Sequence, residues 1–175
     1  EEEEQEEEKE SDTQSDSSSE SDLETIRNNI LVRHNYYRKR HQVDDLTRNS
    51  EIETIAQAYS EKLISTDTFT HSGNTYKGDQ LGENLFRSWG INVTGTYATN
   101  SWYNEIQYYN FNKPGYNSEA VHFTQLVWKG SKELGCGVSC ENKACVVTCN
   151  YYPAGNYIGQ FSSNVFPYKE EEQES

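Results

Sequence analysis

The sequence predicts an α+β domain with a central, mostly antiparallel sheet covered by helices. Three observations carry that expectation. Two segments in the first third of the chain pair a capping signal with apolar residues at helical spacing. Two runs near the C-terminus, 135–140 and 145–151, flank a short polar connection and read as a hairpin. Helices precede and interrupt the strands, without the strand–helix–strand alternation of a doubly wound fold.

The first helix opens at Ser21-Asp22-Leu23-Glu24, the spacing of a capping box, and continues through Ile26, Ile30 and Tyr37. A second box, Ser50-Glu51-Ile52-Glu53, opens another helix. Its buried stripe would be Ile52, Ile55, Ala56, Tyr59 and Leu63. Thr66 to Gly82 is rich in Gly, Ser, Thr and Asp and reads as a loop with at most one short strand near Phe69. A third helix is expected over Tyr97 to Tyr109, with Trp102, Ile106 and Tyr109 on one face. Asn112-Lys113-Pro114-Gly115 stops it, since Pro lacks a donor and Gly permits a sharp turn. Glu119 to Trp128 reads as a short helix. The two strands follow, joined by a loop over Glu141 to Ala144.

At 175 residues the chain suits one domain with a real core. Its formal charge of -14 is unevenly spread. Residues 1–24 hold 13 acidic side chains and one Lys, and residues 169–175 hold four Glu and one Lys. Between them lie 12 acids and 13 bases, so the body is close to neutral. With the body so close to neutral, no nucleic-acid partner is expected. Residues 1–21 contain only Glu, Gln, Lys, Ser, Asp and Thr, with nothing to bury that could offset the entropy of ordering. The expected organisation is a disordered acidic tail over 1–21, a domain over 22–168 and a second acidic tail over 169–175. No run approaches the ~18 apolar residues of a membrane helix. The absence of Met suggests that a leader has been removed.

All four cysteines fall between 136 and 149, spaced Cys-x3-Cys-x4-Cys-x3-Cys. Zinc is one reading of that spacing. Two disulfides are the favoured one, because Val146, Val147 and Thr148 between them read as a strand. Nested pairing, Cys136 with Cys149 and Cys140 with Cys145, keeps each pair opposite across the hairpin. Crossed pairing would distort it, since bridged Cα atoms must lie within ~7 Å. Asn92-Val93-Thr94 is an acceptor for N-glycosylation, in keeping with export.

Two stretches go beyond elements and composition. They are His122-Phe-Thr-Gln-Leu-Val-Trp-Lys129 and Cys149-Asn-Tyr-Tyr-Pro-Ala-Gly-Asn156. They resemble the signature motifs of the CAP superfamily of cysteine-rich secretory, antigen-5 and pathogenesis-related proteins. Phe111-Asn-Lys-Pro-Gly-Tyr116 and His34-Asn35-x-x-Arg38 add matches, the latter structural in that family. The resemblance implies a three-layer α-β-α sandwich. It also implies that His71, Glu83, Glu105 and His122, remote in sequence, converge in a central cleft. There the two imidazoles would bind zinc or another divalent cation, with the carboxylates Glu83 and Glu105 beside them. In relatives a cysteine like Cys140 often pairs far upstream; this chain has no upstream cysteine, and Cys145 serves instead.

The chemistry of such a cleft is coherent. Neutral imidazole suits zinc, and open positions leave room for water. A carboxylate beside it orients the ring. The remaining histidine, His41, reads as a helix-end residue whose partial positive charge suits the macrodipole. Ser72 follows His71, but no nucleophile elbow or oxyanion loop surrounds it, so catalysis is not the favoured reading. Some CAP proteins bind sterols or fatty acids through the loop that here spans Ile64 to Gln80, with Phe69 and Tyr76. The leading expectation is therefore an extracellular, secreted protein that binds a small lipid or sterol and carries a cation-capable cleft. The alternatives are an interaction protein meeting an extracellular receptor through its loops in defence or signalling, and a metal-dependent hydrolase.

Overall fold

The computed structural model describes residues 13–90 and 95–170, with side chains described from residue 22 onward. The Asn92 acceptor, residues 1–12 of the expected acidic tail and residues 171–175 lie outside the described residues.

Helix α1 runs over Thr13–Arg40. It starts upstream of the Ser21 box, because residues 13–24 contain neither Pro nor Gly to interrupt the helical ladder. Its buried stripe is Ile30, His34, Tyr37 and Arg38, continued just past its end by His41, spaced at helical intervals but largely polar. His41 does follow directly on the last residue of α1, but without the expected positive charge. It is fully buried, and its ring nitrogens meet the Phe166 carbonyl at 2.7 Å and the Tyr103 hydroxyl at 2.9 Å. Burial lowers its pKa, so it packs as a neutral ring rather than a dipole partner.

A two-residue strand, β1 (Thr47–Arg48), precedes α2 (Ser50–Thr66). The cap of α2 is Asn49, one residue ahead of the expected Ser50. Its side chain accepts from the N–H groups of Glu51 and Ile52, the role an N-cap amide oxygen fills. The buried face is also rotated from the expected stripe. Glu53 and Ser60 are buried, whereas Ile55 and Tyr59 are only half-buried. The cause lies in the facing strand. A Cβ at Gly135 would come within 2.4 Å of the Glu53 nitrogen, and one at Gly137 within 2.3 Å of the Gln57 Cα. The helix backbone therefore lies flush on the sheet. Glu53 is satisfied there by Arg27 and Arg48, and Ser60 by Gly137 O and Thr148.

The segment after α2 carries a small hairpin, β2 (Thr75–Tyr76) and β3 (Asp79–Gln80), rather than a strand at Phe69. The next strand, β4 (Gly82–Trp89), is one the sequence pattern does not reveal. Helix α3 (Gly95–Tyr103) passes into a 3-10 turn over Asn104–Tyr108, so the expected third helix is two pieces. Then come α4 (Val121–Leu126), β5 (Glu133–Glu141), β6 (Ala144–Tyr152) and α5 (Phe161–Asn164).

The main sheet has the order β1-β5-β6-β4, antiparallel except for β1 against β5. The β5–β6 turn is Asn142-Lys143, both at positive φ, as a tight hairpin of this twist requires. Its register sets Cys136 opposite Cys149 and Cys140 opposite Cys145, and both pairs are disulfides. Val147, Cys149 and Tyr151 face the core formed with α1, α3 and α4, while Val146 and Thr148 face α2. The result is the three-layer α-β-α sandwich. Among the described residues no helix is long and apolar enough to cross a membrane.

Candidate functional site

The cleft opens where β4 begins and β6 ends. Gly82 and Gly155 form part of its wall against Gln125, leaving no room for a side chain at either position. Its volume is about 380 Å³, and His71, Glu83 and His122 line it. Glu105 lies behind His122. The four residues come from a loop, a strand, a 3-10 turn and a helix start, which is why no spacing in the sequence joins them.

Each imidazole is held by its own carboxylate. Glu83 Oε1 meets His71 Nδ1 at 2.9 Å and accepts from the Ser72 backbone N–H at 2.9 Å. Its other oxygen accepts from the Ser72 hydroxyl and, at 3.0 Å, from Asn150 Nδ2. On the far side, Glu105 Oε2 meets His122 Nδ1 at 2.7 Å. Its Oε1 accepts from the N–H groups of His122 at 2.9 Å and Phe123 at 3.3 Å. Trp102 lies nearly parallel to the His122 ring, 12° between planes and 6.3 Å between centroids.

The arrangement fixes the tautomers. A carboxylate only accepts, so in the neutral ring each Nδ1 carries the proton and each Nε2 keeps a lone pair. Neither Nε2 has a hydrogen-bond partner among the described residues. The hydrogen bond to Glu83 raises the pKa of His71, with burial opposing it. Burial pushes Glu83 up, but the bonds from His71, Ser72 and Asn150 prevail and leave it lowered. Both carboxylates are thus committed to holding the rings. Among the described residues no three His, Cys, Asp or Glu side chains gather into a metal-binding group.

The remaining sequence candidates lie elsewhere. Phe69 is 44% exposed and sits beneath the Arg87 guanidinium, 5.3 Å from its ring centroid. Tyr76 packs edge-on against Tyr152, and its hydroxyl accepts from Asn49 Nδ2 at 3.2 Å. Neither lines the cleft. The Ser72 hydroxyl donates to Glu83 and not to an imidazole. Sequence reasoning overlooks Asn84, Asn150, Tyr116 and Tyr157. The stretch that runs from Cys149 to Asn156 already contained Asn150, and Asn84 directly follows Glu83.

Comparison with known proteins bears on this geometry. The family model for CAP, the cysteine-rich secretory protein family, matches residues 31–151. The human Golgi-associated plant pathogenesis-related protein 1 is 41% identical over 146 residues, covering 81% of this chain and 93% of that protein. Protein PRY2 of Saccharomyces cerevisiae is 40% identical over 137 residues, covering 77% of this chain and 39% of that protein. Among solved structures, NaASP2 with Zn2+ matches with a TM-score of 0.68 at 25% identity, over 85% of this chain and 89% of that one.

Proposed function

The chain belongs to the CAP family of cysteine-rich secretory proteins, and on that premise we propose that it is a secreted, non-catalytic binding domain that holds a divalent cation on His71 and His122 and takes up a small hydrophobic ligand. One observation carries the cation reading. Two imidazoles line one cleft, each with Nδ1 tied to its own carboxylate and Nε2 unpartnered. That is the outer support metal-bound histidines use to fix tautomer and raise basicity. Zinc fits two imidazole nitrogens with the other positions left to water, and NaASP2 was solved with that ion. Bound there, the cation would supply positive charge for a polar ligand. Two protein ligands rather than three make the affinity modest.

The hydrophobic ligand is supported by a second cavity. A groove of about 490 Å³, a size usual for small-molecule sites, is lined by the apolar Leu63, Ile64, Trp89 and Val146 together with the polar Asp67, Arg87, Ser88 and Glu141, a mixture suited to a hydrophobic body with a polar head. Phe69 packs against Arg87, one of the lining residues, without lining the groove itself. Two disulfides support an oxidising, extracellular setting.

Calorimetric titration with Zn2+ tests the first part. Wild-type protein binds saturably, and His71→Ala and His122→Ala abolish the binding; retention by both variants refutes it. Uptake of labelled cholesterol or palmitate tests the second, and no binding at micromolar protein would count against it.

A further inference from the structure

Asn84 follows Glu83 on β4, so the two side chains leave opposite faces of the sheet. It is only 1% exposed, yet it forms part of the cleft wall. Its amide nitrogen donates to the Tyr151 hydroxyl at 3.2 Å and to the His122 carbonyl at 3.0 Å.

A buried relay fixes that orientation. His34 Nδ1 lies 2.9 Å from the Ile30 carbonyl, which only accepts, so Nδ1 carries the proton. His34 Nε2 therefore accepts from the Tyr151 hydroxyl at 2.6 Å. The Tyr151 oxygen is left to receive Asn84. Burial drives His34 down to about 3, which keeps the ring in this neutral form. Turning the Asn84 amide over would set its oxygen against the His122 carbonyl, acceptor against acceptor. The Asn84 oxygen accepts no hydrogen bond among the described residues, and it is absent from the few buried side-chain atoms left without a partner. The slight exposure of the residue therefore includes this oxygen, at the point where Asn84 meets the cleft.

We propose that the Asn84 carbonyl oxygen is a third protein contact for the cation in this cleft, accepting a hydrogen bond from cation-bound water. The proposal rests on the cation reading above. Asn84 would position the hydrated ion between the two imidazoles as a neutral oxygen acceptor, and the His34–Tyr151 pair would hold it there.

Two substitutions separate this role from a structural one. Asn84→Asp and Asn84→Leu both remove the donors to Tyr151 and the His122 carbonyl, and Asp, which adds a buried carboxylate beside that carbonyl, is the more disruptive of the two to the fold. Only Asp keeps an oxygen facing the cleft. In Zn2+ titrations Asn84→Leu is expected to lose about tenfold in affinity, the usual scale for an outer-sphere partner. Asn84→Asp should bind at least as tightly as wild type. Equal loss in both variants, or loss in neither, overturns the proposal. A measurement on the wild-type protein covers failure of either variant to fold. The Asn84 side-chain amide resonances should shift with the same Zn2+ dependence as those of His71 and His122; resonances that stay still while the histidines shift overturn it. Absence of Zn2+ binding by the wild-type protein defeats the cation reading and this proposal together.

Discussion

The carboxylate of Glu105 takes two bonds from His122 at once, from its backbone N–H at 2.9 Å and from Nδ1 at 2.7 Å. Helix α4 is only six residues long, and its cap residue, Ala120, has no side-chain acceptor. Glu105 reaches in from the 3-10 turn and supplies what Ala120 lacks, while the same carboxylate sets the imidazole tautomer. One residue therefore links the start of a helix to the chemistry of the cleft.

Glu105→Gln separates those tasks. A Gln amide has one oxygen, so it cannot accept from the backbone and from Nδ1 with separate atoms as Glu105 does. The loss of stability should be small, about 1 kcal/mol, as for a missing cap. Zn2+ affinity should fall about tenfold, because the ring loses the partner that fixes its protonation. Calorimetric titration beside a denaturation curve measures both, and unchanged affinity would refute the assignment.

The other pair gives a pH dependence with a defined sign. The Glu83 hydrogen bond raises His71 above its ordinary 6.5. That contribution to stability is present below 6.5 and is lost as pH rises through the folded value. Glu83 is lowered from its ordinary 4.5, so its contribution is present above 4.5 and is lost as pH falls through the folded value. Mutual support is thus greatest in mildly acidic solution. The proposed cation binding would run the other way, since it needs an unprotonated Nε2. An NMR titration should place the His71 midpoint above 6.5, and Glu83→Gln should lower it. Zn2+ affinity should weaken as the buffer moves from mildly alkaline to mildly acidic, and a flat profile would contradict this account.

Legibility in the sequence follows physical periodicity. The hairpin and its bridges can be read directly, because β-branched residues and cysteines recur on paired strands. Strand β4 cannot. Asn84, Phe86 and Ser88 alternate with Glu83, Leu85, Arg87 and Trp89, so both faces mix polar and apolar residues and no two-residue period stands out. The buried face of α1 hides for a similar reason, since His34, Arg38 and His41 are polar groups satisfied by partners remote in sequence. For the cleft, local pattern supplies nothing. Its members converge through tertiary structure alone, and only motif resemblance groups them beforehand.

Gly137 tests how tightly α2 lies on the sheet. A methyl there would stand 2.3 Å from the Gln57 Cα, a backbone atom that cannot turn aside. Gly137→Ala should destabilise the domain by about 3 kcal/mol, the upper end for overpacking. Gly78 is the contrast. It lies at φ +80 with nothing within 4 Å, so Gly78→Ala meets backbone strain only, about 1 kcal/mol. Chemical denaturation should separate the two, and equal losses would mean that α2 can move away at little cost.

Arg38 carries a stability prediction of the same size. Its guanidinium is fully buried with no carboxylate in salt-bridge contact among the described residues. It donates instead to four carbonyls, those of Asp44 at 2.8 Å, Leu126 at 3.1 Å, Trp128 at 2.9 Å and Ser131 at 3.0 Å. Burial pulls its pKa down to about 10, still well above neutrality, so the charge stays. Lysine has the charge but not the planar fork that reaches all four oxygens. Arg38→Lys should therefore cost about 3 kcal/mol, from carbonyls left unsatisfied in the core. The damage should also travel. Ser131 bonds to Gln125 at 3.0 Å, and Gln125 accepts from the Gly155 N–H at 2.9 Å in the cleft wall. Hydrogen exchange at Gly155 should speed up in the variant under conditions where the fold persists. If exchange there stayed at the wild-type rate, Arg38 would be a core brace with no mechanical link to the cleft.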